Sequence, residues 1–344
     1  MTAPPVTYTF GENASSIVWS TPNIKSTGYS AVDTLQLANR VILTVLLVFI
    51  MLAVGSVVTL NDFKVTLKRP TGIAIGFVCQ FGIMPLVAFS LAHILKVDAA
   101  HALGMLIIGC SPGGVTSQIY TFWSKGDICL SICMTTVSTL SAMGMMPLCL
   151  WIYGRSWTDE SVVIPYTNIT ISMVLILVPV IIGMIIRHYK EEWARRITLV
   201  GSFTAILALS ISMVLGGLSN PSMFKVPWTV WFAASVMSPI AFLLGYIIAY
   251  LLRQSQKKCR TIAFETGCQN AALALTIIAI SFAGSEDYFD LMAFPSLFGT
   301  FLIIDSCVTV LILKLIGRKR KESGVTAENS LRQTSSVGKI PVKE

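Results

Sequence analysis

Charge is what this sequence has least of. Asp, Glu, Lys and Arg make up 12% of its 344 residues, about half of what a water-soluble domain carries. No polar stretch between the apolar runs is long enough to hold a soluble domain. The eight cysteines lack any metal-binding spacing and read as reduced packing residues. The three histidines, His93, His101 and His188, flank apolar runs and read as surface residues. Gly-x-Ser-x-Gly, His-Glu-x-x-His and a pair of intramembrane aspartates are all missing. That argues against an intramembrane hydrolase and for a protein that is not an enzyme. The first 30 residues contain no apolar core, so a cleavable signal peptide is not expected.

What is abundant is apolar sequence, 54% of the chain, arranged in runs of about 20 residues, the length that crosses a bilayer. The expected architecture is an all-α polytopic membrane protein with nine spans, at about 34–60, 71–94, 99–123, 127–153, 163–186, 197–217, 228–252, 260–283 and 289–316. Residues 1–33 read as an N-terminal tail, 34–316 as one transmembrane domain, and 317–344 as a polar, Ser-rich disordered tail. An odd number of spans puts the termini on opposite sides. All 25 Lys and Arg except Lys25, Arg40, Lys96, Arg155 and Lys225 fall on the side of the C-terminus. The positive-inside rule therefore places the C-terminus in the cytoplasm and the N-terminus outside, as in a multi-pass plasma-membrane protein. The net charge of +8 reads as this orientation signal and not as a nucleic-acid surface. Asn13-Ala14-Ser15 is then an available glycosylation site. Asn168-Ile169-Thr170 begins a span and lies too close to the bilayer.

Two spans are interrupted. The third contains Ser111-Pro112-Gly113-Gly114, which removes an amide donor and loosens the backbone. The eighth contains Glu265, Thr266, Gln269 and Asn270, with each four-residue pair on one helical face. Carbonyls freed by such breaks cannot face lipid and must line a cavity or bind something. The two spans are five apart in order, so they cross in opposite directions. Interrupted segments at matching places in two inverted halves point to a transporter's midplane site. Spans 2, 3 and 4 would then match spans 7, 8 and 9.

The polar groups expected at membrane depth are nearly all oxygen donors: Gln80, Ser117, Gln118, Ser131, Thr135, Thr136, Ser138, Thr139, Glu265, Gln269 and Asn270. A carboxylate there costs roughly 2.5 kcal/mol or more, and no Lys or Arg accompanies it. One carboxylate among neutral carbonyls and hydroxyls suits a hard monovalent cation. Calcium recruits more carboxylates, and zinc takes His or Cys. Na⁺ leads, with a proton on Glu265 as the alternative. Read singly, the span-4 hydroxyls are more often back-bonded to their own helix. Asp305 either is hydrated near the inner surface beside Ser306 and Thr309 or faces the cavity as a substrate-side residue. A receptor is a weaker reading, because an acidic midplane site with two broken helices exceeds what signalling needs.

These residues carry a resemblance. "CQFGIMPL" (79–86), "GCSPGGVTSQ" (109–118), "GDICLSICMTTVSTLSAMGMMPLCLWIY" (126–153), "CRTIAFETGCQN" (259–270) and "FP" (294–295) resemble the bile acid:sodium symporter family, over about residues 40–316. The resemblance implies an inverted repeat with panel and core domains, crossing broken helices in the core, and alternating access. It implies sodium-coupled import of an amphipathic organic anion such as a bile salt or steroid sulfate, by a monomer or weak homodimer in contact with membrane lipid. Carried over by motif, one sodium site uses Ser117, Gln118, Ser131, Thr135 and Glu265, and a second uses Gln80, Glu265 and Gln269. Asn270 and Ala272 fall beside the crossing, on the substrate side. The chain departs from the family pattern twice, with Gln118 where Asn is usual and Ala272 where Gln is usual.

Overall fold

The computed structural model describes residues 31–57, 70–157, 164–219, 225–282, 285 and 287–337. Among these there is no strand; every regular element is a helix. In chain order they are α1 (Ala31–Val57), α2 (Thr71–Ile94), α3 (Ala99–Cys110), α4 (Thr116–Trp123), α5 (Ile128–Gly154), α6 (Tyr166–Tyr189), α7 (Glu191–Ser219), α8 (Trp228–Leu251), α9 (Gln256–Gly267), α10 (Ala271–Ser281) and α11 (Tyr288–Val337). Five stretches are long and apolar enough to cross a membrane: α2, 128–157, α6, α8 and 288–316. Helix α11 continues to Val337, into the stretch expected to be a tail. Asn13 lies outside the described residues.

Burial sorts the helices into layers. α3 and α10 are apolar on all sides and almost wholly buried, which places them at the centre. α11 packs on α3, and α8 packs on α9 and α11. α1, α6 and α7 pack on one another. Gly55 and Gly183 make the α1–α6 approach possible: a methyl on Gly183 would overlap the Leu52 carbonyl and lie 3.0 Å from the Gly55 Cα. Close helix contact through small residues is how helices associate in lipid, where apolar side chains gain little by leaving the solvent. Ile182 on α6, Phe203 and Val214 on α7 and Leu311 on α11 are exposed, as a lipid-facing surface requires.

Two local features position the site. α2 contains a π-helical turn over Cys79–Ile83, one residue before Met84-Pro85. Pro85 has no amide to give the Phe81 carbonyl, and the Cys149 thiol donates to that carbonyl instead, at 3.4 Å. Such bulges recur at functional sites; this one carries Gln80. The second feature is the pair of breaks, described below. His101 is the clear departure from the surface reading. It is only 5% exposed, while Asp98, the half-exposed cap of α3, holds its ring Nδ1 at 2.8 Å. His93 is exposed, as expected, and stacks with Phe89 and Trp157.

Candidate functional site

The breaks at 111–115 and 268–270 lie against each other. Gly113 and Gln269 form an isolated antiparallel bridge. Gly114 N donates to Cys268 O at 2.8 Å, and Asn270 N donates to Pro112 O at 3.0 Å. Each break thus satisfies donors and acceptors of the other, which lipid could not do. Around this bridge four helix ends converge: the carboxyl ends of α3 and α9 and the amino ends of α4 and α10. The Asn270 side chain caps α10 by accepting from Leu273 N at 3.1 Å, so its amide oxygen is committed to the helix end.

Glu265 lies on the last turn of α9, 1% exposed. Ser117 Oγ donates to its Oε2 at 2.7 Å, Ser131 Oγ donates to the same oxygen at 3.1 Å, and Thr135 Oγ1 donates to Oε1. Three hydroxyls from α4 and α5 therefore converge on one carboxylate. Ser131 and Thr135 are four apart and share a face of α5. The Thr135 hydroxyl is also 3.0 Å from Ser131 O; Thr136 and Thr139 back-bond to Ile132 O and Thr135 O, the structural role single residues suggested. Ser138 donates to Thr135 O and accepts from Gly113 N at 3.3 Å, which ties α5 to the first break. Gly113 is required here: a Cβ would run into Glu265 Oε1.

On the other side of Glu265 lies a glutamine pair. Gln80 Nε2 donates to Ser111 O and to Gln269 Oε1, both at 2.7 Å. Gln269 Nε2 donates to Thr266 O at 2.6 Å. Gln80 Oε1 is buried and has no hydrogen-bond partner. A cavity of about 10 Å³ lies here, lined by Gln80, Ser138 and Glu265 together with Gly76, Phe77 and Met134. That is room for about one water-sized particle. A lone buried acceptor beside a carboxylate is the chemistry a small cation would satisfy. Among the described residues there is no cluster of three or more His, Cys, Asp or Glu suited to a transition metal.

Not every expected residue joins. Gln118 is half-buried, and its side chain makes no hydrogen bond to Glu265 or to any other described residue. Asp305 is half-buried on α11, its Oδ2 without a partner. Its neighbour Ser306 reaches the second break, 3.6 Å from Cys268 Sγ, but Asp305 itself is not in the Glu265 cluster. Ala272 is buried in the first turn of α10. The residue types gave no warning of the π-turn around Gln80; Met84-Pro85 was the available signal.

A larger cavity, about 370 Å³, opens between α1, α6 and α10. Its lining is mainly apolar, including Leu47, Met51 and Leu175, with Asn168, Ser172 and Thr276 as polar points. Its size and lining are those of a small-molecule pocket. Thr276 is six residues along α10 from Asn270, roughly 9 Å, so one short helix connects this cavity to the crossing.

Comparison with known proteins places the chain. Residues 44–225 match the family described as Sodium Bile acid symporter family. The ileal sodium/bile acid cotransporter of Homo sapiens is 37% identical over 312 residues, 89% of each chain. The protein of that description from Oryctolagus cuniculus is 41% identical over 263 residues, 76% of each chain. The sodium-dependent organic anion transporter of Homo sapiens is 33% identical over 316 residues, 90% of this chain and 84% of that one.

Proposed function

From the premise that this chain belongs to the sodium bile acid symporter family, a family of membrane transporters and not of enzymes, we propose that it is a sodium-coupled symporter. It imports an amphipathic organic anion, a bile salt or steroid sulfate or similar, across the plasma membrane by alternating access. Nine spans carry it, with the N-terminus outside and the C-terminus in the cytoplasm. α1, α6 and α7 form the panel, and the other helices form the core with its inverted repeat. The antiparallel meeting of the two breaks supports that reading, because two inverted halves present their interruptions to each other in opposite senses.

The observation that carries the proposal is the environment of Glu265. It is a buried carboxylate with hydroxyls on one side, a glutamine pair on the other, and no ion pair to a basic side chain among the described residues. Three hydroxyls lie at its two oxygens, and the Thr135 hydroxyl is also 3.0 Å from Ser131 O. Taken with the sodium-dependent relatives, this setting supports Na⁺ as the bound species. Ser117, Ser131, Thr135 and Glu265 hold the first Na⁺ together with Gln118, the member that makes no hydrogen bond to the others. Gln80, Glu265 and Gln269 hold the second, with Gln80 Oε1 turned to the ion. Binding Na⁺ neutralises Glu265, fixes both breaks against α2 and α5, and so couples the ion to the half-helices. The organic anion lies in the 370 Å³ cavity, where the amino end of α10, Asn270 and Ala272 supply the end nearest the ions and a favourable dipole. Asp305 lines the inner part of the path.

The test is uptake of a labelled panel of bile salts and steroid sulfates with Na⁺ replaced by choline at fixed pH. Na⁺ is expected to be required, and Glu265→Gln is expected to reach the surface and transport near background. Sodium-independent uptake driven by a pH gradient would assign a proton in its place.

A further inference from the structure

The fold gathers five cations that the sequence spreads over two connections. The turn between α4 and α5 carries Lys125, and the turn and first helical turns between α8 and α9 carry Arg253, Lys257, Lys258 and Arg260. These segments are joined directly. Arg260 Nη1 donates to Ser124 O at 2.8 Å, and Asp127 N donates to Thr261 Oγ1 at 2.8 Å. Asp127, the acid beside them, caps α5, accepting from Leu130 N at 3.1 Å, so the two turns set five positive charges against one negative.

None of the five forms an ion pair among the described residues. The turn between α6 and α7 is different. It too is basic, but Arg187 and Arg195 both reach Glu191, at 3.2 and 3.8 Å. The five-cation cluster is thus a net positive surface by construction and not merely part of the general bias of one face. Beside it, Phe122, Trp123, Tyr250, Leu251 and Leu252 are exposed, and Tyr246 stacks on Tyr250 with centroids 6.5 Å apart. Aromatic rings at the depth where a helix leaves the hydrocarbon mark the headgroup layer.

We infer that this cluster is a binding site for the headgroup of an anionic phospholipid of the inner leaflet. The cations meet the phosphate and carboxylate, and the exposed aromatic and leucine side chains meet the upper acyl chains. The site stands at the feet of both inner half-helices. α4 carries Ser117, and α9 carries Glu265 five residues beyond Arg260, about 7.5 Å along the axis. A lipid held across the two turns therefore fixes the half-helices that present the Glu265 cluster to each other. The leaflet rests on the orientation proposed above; the binding itself does not rest on transport.

The experiment titrates phosphatidylserine against the purified full chain in detergent and follows retained lipid by native mass spectrometry. The protein is expected to hold phosphatidylserine in preference to phosphatidylcholine. Removing charge in Lys125→Gln/Lys257→Gln/Lys258→Gln is expected to weaken retention by about fivefold for each residue, the effect of one basic group at an anionic surface. Lys→Arg at the same three positions should preserve it. Lys190→Gln/Arg195→Gln/Arg196→Gln, an equal loss of charge at the α6–α7 turn, should leave it unchanged. Equal losses in the two Gln triples would mean a diffuse basic face and overturn the site. So would competition by glycerophosphoserine, which lacks acyl chains, at the lipid's own concentration, since that describes a free-anion site. Retention is read without uptake, so a protein that fails to transport anions could still pass, and one that transports could still fail.

Discussion

Replacing Gly113 by alanine tests whether the two broken helices and the carboxylate form one unit. The added Cβ would lie 3.2 Å from Glu265 Cδ and 3.5 Å from Ser138 Oγ, and closer still to Glu265 Oε1. Ordinary carbon contacts begin at about 3.5 Å, so the carboxylate must retreat by roughly 1 Å. The retreat is opposed on the far side by the hydroxyls of Ser117 and Ser131, and it pulls Oε1 from the Thr135 hydroxyl. A hydrogen bond to a charged group contributes about 1.5–3 kcal/mol, which corresponds to a ten- to hundredfold loss of cation affinity. Two other glycines calibrate the result. A Cβ on Gly114 would meet the backbone oxygen of Gln269 at 3.1 Å, a clash of a few tenths of an ångström only, and a Cβ on Gly144 meets nothing within 4 Å. The assay is the Na⁺ dependence of labelled-anion uptake, normalised to surface protein. Gly144→Ala should match the unmodified protein, Gly114→Ala should shift the curve slightly to the right, and Gly113→Ala should shift it tenfold or more. If Gly113→Ala overlays Gly144→Ala, Glu265 is not the cation's anchor, and the coupling assigned to it is wrong.

Gln118 stands apart from the Glu265 cluster, so the first sodium site should be weak. A Na⁺ titration of uptake is expected to give a Hill coefficient nearer one than two, and Gln118→Asn a steeper, left-shifted curve; lowered Na⁺ affinity in that variant would mean the site had been rebuilt around the longer side chain. Two Na⁺ entering with one monovalent anion move one net charge, so substrate should evoke an inward current, and depolarisation should slow uptake, with about 2.3 kcal/mol of drive per 100 mV; voltage-indifferent transport would argue for one Na⁺ or a divalent anion. Asn13→Gln should remove a glycosidase-sensitive mobility shift, and an epitope at residue 340 should be reached by antibody only after permeabilisation; labelling of intact cells would reverse the orientation. Asp98→Ala should lower thermal stability by about 1 kcal/mol through loss of the α3 cap. Burial alone would raise the Asp98 carboxyl, but hydrogen bonds and charge from His101 outweigh it and hold the group below its ordinary 3.8. A carboxylate depressed in the folded state stabilises fully above its unfolded value and loses that contribution as pH falls through the folded one. The ionic part of the melting-temperature gap between the two proteins should therefore shrink below that pH, and a gap that widens on acidification would refute the Asp98–His101 account.

The sequence by itself determined the apolar, membrane-suited spans and the two breaks, and it singled out Glu265. The reason is the solvent: a bilayer tolerates neither free carbonyls nor a stray carboxylate, so Pro112-Gly113-Gly114 and Glu265 stand out against apolar surroundings in one dimension. The four-residue spacing of Ser131 and Thr135 likewise shows which hydroxyls share a face. Only the tertiary structure decided what each polar group meets. It turned Ser117, Ser131 and Thr135 onto Glu265 and left Gln118 without a hydrogen bond to it, although Gln118 is adjacent to Ser117, because neighbouring residues on a helix point about 100° apart. It placed Gln80 opposite Gln269 through a π-turn, whose extra residue per turn rotates every side chain beyond it. It buried His101 beside the Asp98 cap, and it joined the Lys125 turn to the start of α9 through Arg260–Ser124 and Asp127–Thr261 across more than a hundred residues of chain. Spacing along a helix is fixed by local geometry and can be read from the chain. The pairing of one helix face with another depends on how all the helices pack, and that information is not local to any stretch of sequence.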